Sequence, residues 1–195
     1  GAALLAQKKS IPVFLSDAGK IKDEFRSILI EREIDFEEGG HHIVFDCQPQ
    51  LVVKSPGIPD QSELIIDLKK RDIEIISEIE FAYRYCNGKI IAITGSNGKT
   101  TTTNLMAYLM ERSGLDVVKV GNVGYSFARS VAEADHQYYV IEVSSFQLDG
   151  IVHFKPDIAI ILNITPDHMD RYDYVFENYA RSKFKISQNQ SKNET

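Results

Sequence analysis

Short apolar runs ending in glycine or a polar residue alternate with longer, periodically apolar segments, and that alternation admits few folds. The runs 11–15, 51–54, 73–77, 90–94, 117–120, 137–143 and 158–163 read as strands. The segments 1–9, 20–31, 61–71, 78–86, 99–113, 125–134 and 174–188 read as helices. Alternating strands and helices predict parallel sheets with helices on both faces, an α/β fold. The turn dipeptide Asn87-Gly88 divides the chain into units 1–87 and 88–195.

In parallel sheets, ligands gather where the strands end at their carboxyl side. Here those ends carry Ser16-Asp17, Ser55-Pro56-Gly57, the glycine loop 94–101, Gly121–Gly124, Glu142 and Asn163. The loop 94–101 reads Thr-Gly-Ser-Asn-Gly-Lys-Thr-Thr, between the run Ile90-Ile91-Ala92-Ile93 and the helical segment that follows. Strand, glycine turn and helix start is the context of a phosphate-binding loop. Gly95 and Gly98 permit the tight turn, Lys99 supplies positive charge, and the Thr100 hydroxyl suits Mg²⁺. The spacing is shorter than the usual one, because Ile93 stands where its first glycine would be. A glycine turn capped by threonines is the plainer alternative.

Glu142 ends an apolar strand in the same unit, where a carboxylate can hold the Mg²⁺ that accompanies ATP or be a solvated acid. The segment 163–172, Asn-Ile-Thr-Pro-Asp-His-Met-Asp-Arg-Tyr, gathers polar groups just past a buried strand. His168 there is either structural or a metal or phosphate ligand. His41, His42, His136 and His153 are expected on the surface without partners. Lys183 lies in a helical stretch and reads, on its own, as a solvated charge.

Composition narrows the partners. The chain is 43% apolar and 26% charged, as an ordered globular protein is. Its net charge of −6 argues against nucleic acid and anionic membranes. No apolar stretch approaches the roughly 18 residues a membrane span needs, and the first residues show no signal-peptide pattern. Cys47 and Cys86 lack metal-site spacing and read as idle thiols of a reducing cytoplasm. The helical opening at Gly1 without an N-cap, and the polar stretch 187–195, raise the expectation of a fragment of a longer protein.

Together, TGSNGKTT at 94–101, GNVG at 121–124, EVSSFQL at 142–148 and NITPDHMDRY at 163–172 closely resemble the Mur ligase family. These are ATP-dependent amide ligases that build the peptide of bacterial cell-wall precursors. EVSSFQL and DHMDRY, with SPGIP at 55–59, are similar to the branch that adds D-glutamate to UDP-N-acetylmuramoyl-L-alanine. The resemblance implies a Rossmann-like UDP-binding domain lacking its first strand over 1–87, then part of a P-loop ATPase α/β domain over 88–195. It implies ATP bound by Gly95, Ser96, Asn97, Gly98, Lys99, Thr100 and Thr101, and Mg²⁺ held by Thr100, Glu142, His168 and a carbamylated Lys183. Lys99, His168 and Lys183 would be catalytic. Asn122, Gln147 and His168 would face the muramoyl-alanine, and Asp17, Ala18, Gly19 and Gly57 the uridine diphosphate. Gly19 departs from family forms with a basic residue there. The resemblance further implies a cytoplasmic, monomeric enzyme with no nucleic-acid or membrane partner. This part of it, lacking the third domain, would not turn over alone. Another Mur-type ligase, a folylpolyglutamate synthase-like enzyme, and a nucleotide-binding module without ligase chemistry are the alternatives.

Overall fold

The computed structural model describes residues 1–122 and 124–191. Val123 of the glycine motif 121–124, and 192–195 of the polar end, lie outside the described residues. The elements run α1 (Ala2–Lys8), β1 (Phe14–Asp17), α2 (Asp23–Glu31), β2 (Asp35–Glu38), β3 (Leu51–Lys54), α3 (Glu63–Lys70), β4 (Glu74–Ser77) and α4 (Glu78–Tyr83). They continue with β5 (Lys89–Thr94), α5 (Lys99–Arg112), β6 (Val117–Gly121), α6 (Phe127–Glu133), β7 (Tyr138–Glu142), α7 (Ser145–Leu148), β8 (Ile158–Ile161) and α8 (Phe176–Phe184). Short 3-10 turns occupy Met169–Tyr172 and Lys185–Ser187.

Every strand pairing is parallel, as the alternation predicts. The second half forms a four-stranded sheet in the order β6-β7-β5-β8. Its strands are apolar on both faces because helices cover both. Ile91, Ile93 and Val140 pack with Ala107 of α5 on one face. Ile90, Ala92, Tyr139 and Ile141 share the larger core with Leu5, Ile79, Phe127 and Val131 on the other. That core also takes in Ile76 and, at its margin, Val13 and Val53 from the first half. The first half holds its strands as two pairs, β1-β2 and β3-β4, with no described strand joining them. A smaller core of Ile21, Leu29 and Ile34 sits under β1 and β2.

Several expected boundaries move, for local reasons. The first strand starts at Phe14 rather than residue 11, because the Ile11 N–H closes α1 on the Ala6 carbonyl and Pro12 has no N–H to give. The last helix starts at Phe176 rather than residue 174, because Asp173 and Tyr174 take left-handed backbone. Strand β2 has no counterpart in the sequence reading. Three of its four residues are acidic, yet Glu37 is buried and accepts hydrogen bonds from Ser16 Oγ and the N–H groups of His42 and Ile43. The absence of histidine partners is likewise overturned. His41 Nδ1 lies 2.6 Å from Ser16 Oγ, and His136 Nδ1 lies 2.8 Å from Asp116 Oδ1.

Candidate active site

The carboxyl ends of β5, β6, β7 and β8 share one edge of the sheet, since Gly121 and Ile93 both pair with Glu142 and Thr94 pairs with Ile161. The loop 94–101 leaves that edge and enters α5. Gly98 caps α5 at φ 86°, a left-handed conformation that favours glycine. Thr102 N–H bonds the Gly98 carbonyl, so the first-turn N–H groups of Lys99, Thr100 and Thr101 have no acceptor within the helix. Such a turn attracts anions.

The loop is tied down from the segment after β8. Ser96 N–H donates to the Asn163 carbonyl at 3.0 Å, and Asn97 N–H donates to Asn163 Oδ1 at 3.0 Å. The Asn163 amide returns a bond to the Asn97 carbonyl at 3.0 Å. Ser96 Oγ donates to the Thr165 carbonyl at 2.8 Å, accepts from Thr165 N–H, and meets Tyr179 Oη at 2.8 Å. Asn163, Thr165 and Tyr179 therefore set the loop's shape, a role the sequence reading did not assign. Only the crowding of polar residues after β8 hinted at it.

Two ammonium groups converge on the loop. Lys99 Nζ donates to the carbonyls of Gly95 and Ser96 at 2.8 and 3.0 Å, and Lys183 Nζ donates to the same Gly95 carbonyl at 2.9 Å. Lys183 is only 2% exposed, so the solvated-charge reading of it does not hold. Burial, and then the Lys99 charge, push its pKa down to about 8. Two cations on one carbonyl, next to a helix start, make a place that an anion would relieve.

The remaining sequence candidates lie around this edge. Glu142 is 2% exposed and accepts from the Asn122 amide at 3.1 Å. Gly121 must be glycine for this approach, since a Cβ there would come 2.2 Å from the Glu142 carbonyl. Gln147 is buried with its Oε1 accepting from Ser144 N–H and Oγ, each at 3.0 Å, as the capping box of α7. His168 takes left-handed backbone, keeps its side chain largely exposed, and sets its ring 5.2 Å from that of Phe146. Asp17 ends β1 and, with Ala18 and Gly19 beyond it, is exposed; the Gly19 N–H donates to Asp17 Oδ1 at 2.8 Å. Gly57 lies in the turn after β3, closed by Ile58 N–H on the Ser55 carbonyl. Among the described residues, no group of three His, Cys, Asp or Glu side chains is arranged to hold a metal ion.

Residues 93–195 match the Mur ligase middle domain. The chain belongs to the Mur ligase family. Residues 2–64 match the MurD N-terminal domain. The chain is 52% identical over 193 residues to the UDP-N-acetylmuramoylalanine--D-glutamate ligase of Christiangramia forsetii, covering 98% of this chain and 43% of that protein. It is 51% identical over 190 residues to the enzyme of the same name from Porphyromonas gingivalis, covering 97% of this chain and 42% of that protein. The chain thus spans less than half the length of these relatives. Among solved structures, a UDP-N-acetylmuramate:L-alanyl-gamma-D-glutamyl-meso-diaminopimelate ligase from Neisseria meningitides superposes with a TM-score of 0.64 at 18% identity, over 98% of this chain and 65% of that one. A UDP-N-acetylmuramate-alanine ligase from Thermotoga maritima gives 0.57 at 22% identity, over 96% of this chain and 44% of that one. At such identities these Mur ligase structures bear out the α/β fold alone.

Proposed function

We propose that this sequence is part of a ligase that joins D-glutamate to UDP-N-acetylmuramoyl-L-alanine at the expense of ATP. The observation that carries the reading is the convergence of Lys99 and Lys183 on the Gly95 carbonyl, beside a fastened glycine loop at a helix start. The relatives named above point to the acceptor and the amine.

The reaction needs charge neutralised and groups aligned more than it needs covalent help from the protein. Lys99, with the backbone of Gly95, Ser96, Asn97, Gly98, Thr100 and Thr101, would cradle the ATP phosphates. The γ-phosphoryl passes to the L-alanine carboxylate, giving an acyl phosphate. The amine of D-glutamate attacks that carbonyl carbon, and phosphate leaves with the former carboxylate oxygen. The donor set suits Mg²⁺, which takes few protein oxygens beside phosphates. Glu142 is a buried carboxylate with an amide on one side, and the Thr100 hydroxyl stands in the first turn of α5. When bound, the metal would neutralise phosphate charge; His168 and Lys183 would complete its surroundings. Lys183 suits that place only as a carbamate, which requires a neutral amine, a form that its burial and the neighbouring Lys99 charge favour relative to an exposed lysine.

Asn122, Gln147 and His168 would face the muramoyl-alanine, and Asp17, Ala18, Gly19 and Gly57 the uridine diphosphate. The units 1–87 and 88–195 correspond in this reading to the nucleotide-sugar domain and the incomplete ATP domain, and the chain alone would not turn over. In this reading the enzyme would be monomeric and cytoplasmic; among the described residues no helix is long and apolar enough to cross a membrane. The test is amine selection by the full-length enzyme. D-glutamate should give ATP-dependent product from UDP-N-acetylmuramoyl-L-alanine, and L-lysine or meso-diaminopimelate none. Equal use of the three amines would defeat the assignment.

A further inference from the structure

A cleft of about 320 Å³ separates Lys54, the last residue of β3, and Pro56 just beyond it from Phe146, Arg171 and Tyr172 of the second half. Arg171 is the side chain that crosses it. Its Nη2 donates to the Pro56 carbonyl at 3.2 Å. Its guanidinium lies 4.7 Å from the centre of the Phe146 ring. Its backbone N–H donates to the His168 carbonyl at 3.0 Å.

The groups Arg171 touches are those that hold His168. The Phe146 ring is 5.2 Å from the His168 ring and stacks on Tyr172 at 5.9 Å with 7° between planes. Tyr172 is buried, and its hydroxyl donates to Asp149 at 2.9 Å. The side chain therefore joins the residue before Gly57 to the ring beside His168, while the backbone of the same residue closes the turn that carries His168. A planar guanidinium suits both contacts, since it can lie on a ring while donating to a carbonyl. The phosphate loop is fastened elsewhere, through Asn163, Thr165 and Tyr179.

We infer that Arg171 is a positioning residue that sets the span between Gly57 and His168, the two points a nucleotide-linked substrate would bridge. Its role in turnover rests on the ligase reading above; its role as a clasp does not. Removing the clasp should loosen the grip on the long substrate and leave the grip on ATP alone.

Two measurements test this. In the 195-residue chain, Arg171→Ala should raise amide exchange at 55–58 and 168–172 about tenfold and leave 94–101 unchanged, the size expected for losing one hydrogen bond and one ring contact. Unchanged exchange at 55–58 would overturn the clasp. In the full-length enzyme, Arg171→Ala should raise KM for the UDP-linked substrate about tenfold with KM for ATP within about twofold. Arg171→Lys, which keeps the charge but not the plane, should fall between. Equal rises in both KM values, or a fall in kcat alone, would overturn the positioning role. Absence of D-glutamate-dependent turnover in the unsubstituted enzyme would sink the ligase reading and the positioning role with it, while the exchange result would still decide the clasp.

Discussion

At the scale of single residues, Lys183 shows how placement changes chemistry. A lysine with a pKa held down to about 8 is harder to protonate when folded than when unfolded, where the value is 10.5. The unfolded chain then binds more protons between those values, so this residue's cost to stability is full below about pH 8 and fades as pH rises toward the unfolded value. In CO₂-free buffer, Lys183→Met should therefore unfold at a higher temperature than the parent at pH 7, with the gap narrowing by pH 10. Thermal melts at both values check this, and a gap independent of pH would contradict it. In the proposed reaction Lys99 would have the opposite duty, reaching phosphate with its charge. Lys99→Ala should weaken ATP binding to the full-length enzyme by about 1.5–3 kcal/mol, read by calorimetry.

At the scale of elements, the join between α4 and the loop before β8 depends on one carboxylate. Glu80 is fully buried, and its Oε2 accepts from the N–H groups of Val152, His153 and Phe154 at 2.9, 2.9 and 2.8 Å. Its Oε1 pairs with Arg84 at 3.2 Å. Glu80→Ala would leave three backbone donors without their acceptor and Arg84 with Glu74 alone, at a cost of about 3–5 kcal/mol in chemical denaturation. Nothing in the sequence marks Glu80, because three backbone donors from 72 residues away carry no local pattern. The same reason hides Asn163 as the tie of the glycine loop 94–101. Strand β2 escaped because pattern reading looks for apolar residues, and its buried Glu37 is satisfied by hydrogen bonds instead. What did show in the sequence was whatever repeats locally: the apolar strands β5, β7 and β8, the glycine loop, and the polar residues at strand ends.

At the scale of the whole molecule, the two halves share one core and are tied across the cleft by the Arg171–Pro56 bond, so they are held as one body. In the proposed reaction the long substrate would span both halves. In the proposed reaction the Lys99–Lys183 edge would activate a carboxylate by phosphorylation. The direct measurement supplies the full-length enzyme with ATP, D-glutamate and UDP-N-acetylmuramoyl-L-alanine carrying ¹⁸O in its carboxylate, and weighs the released phosphate. Phosphate bearing one ¹⁸O atom is the predicted result. Unlabelled phosphate released alongside product would contradict the acyl-phosphate account.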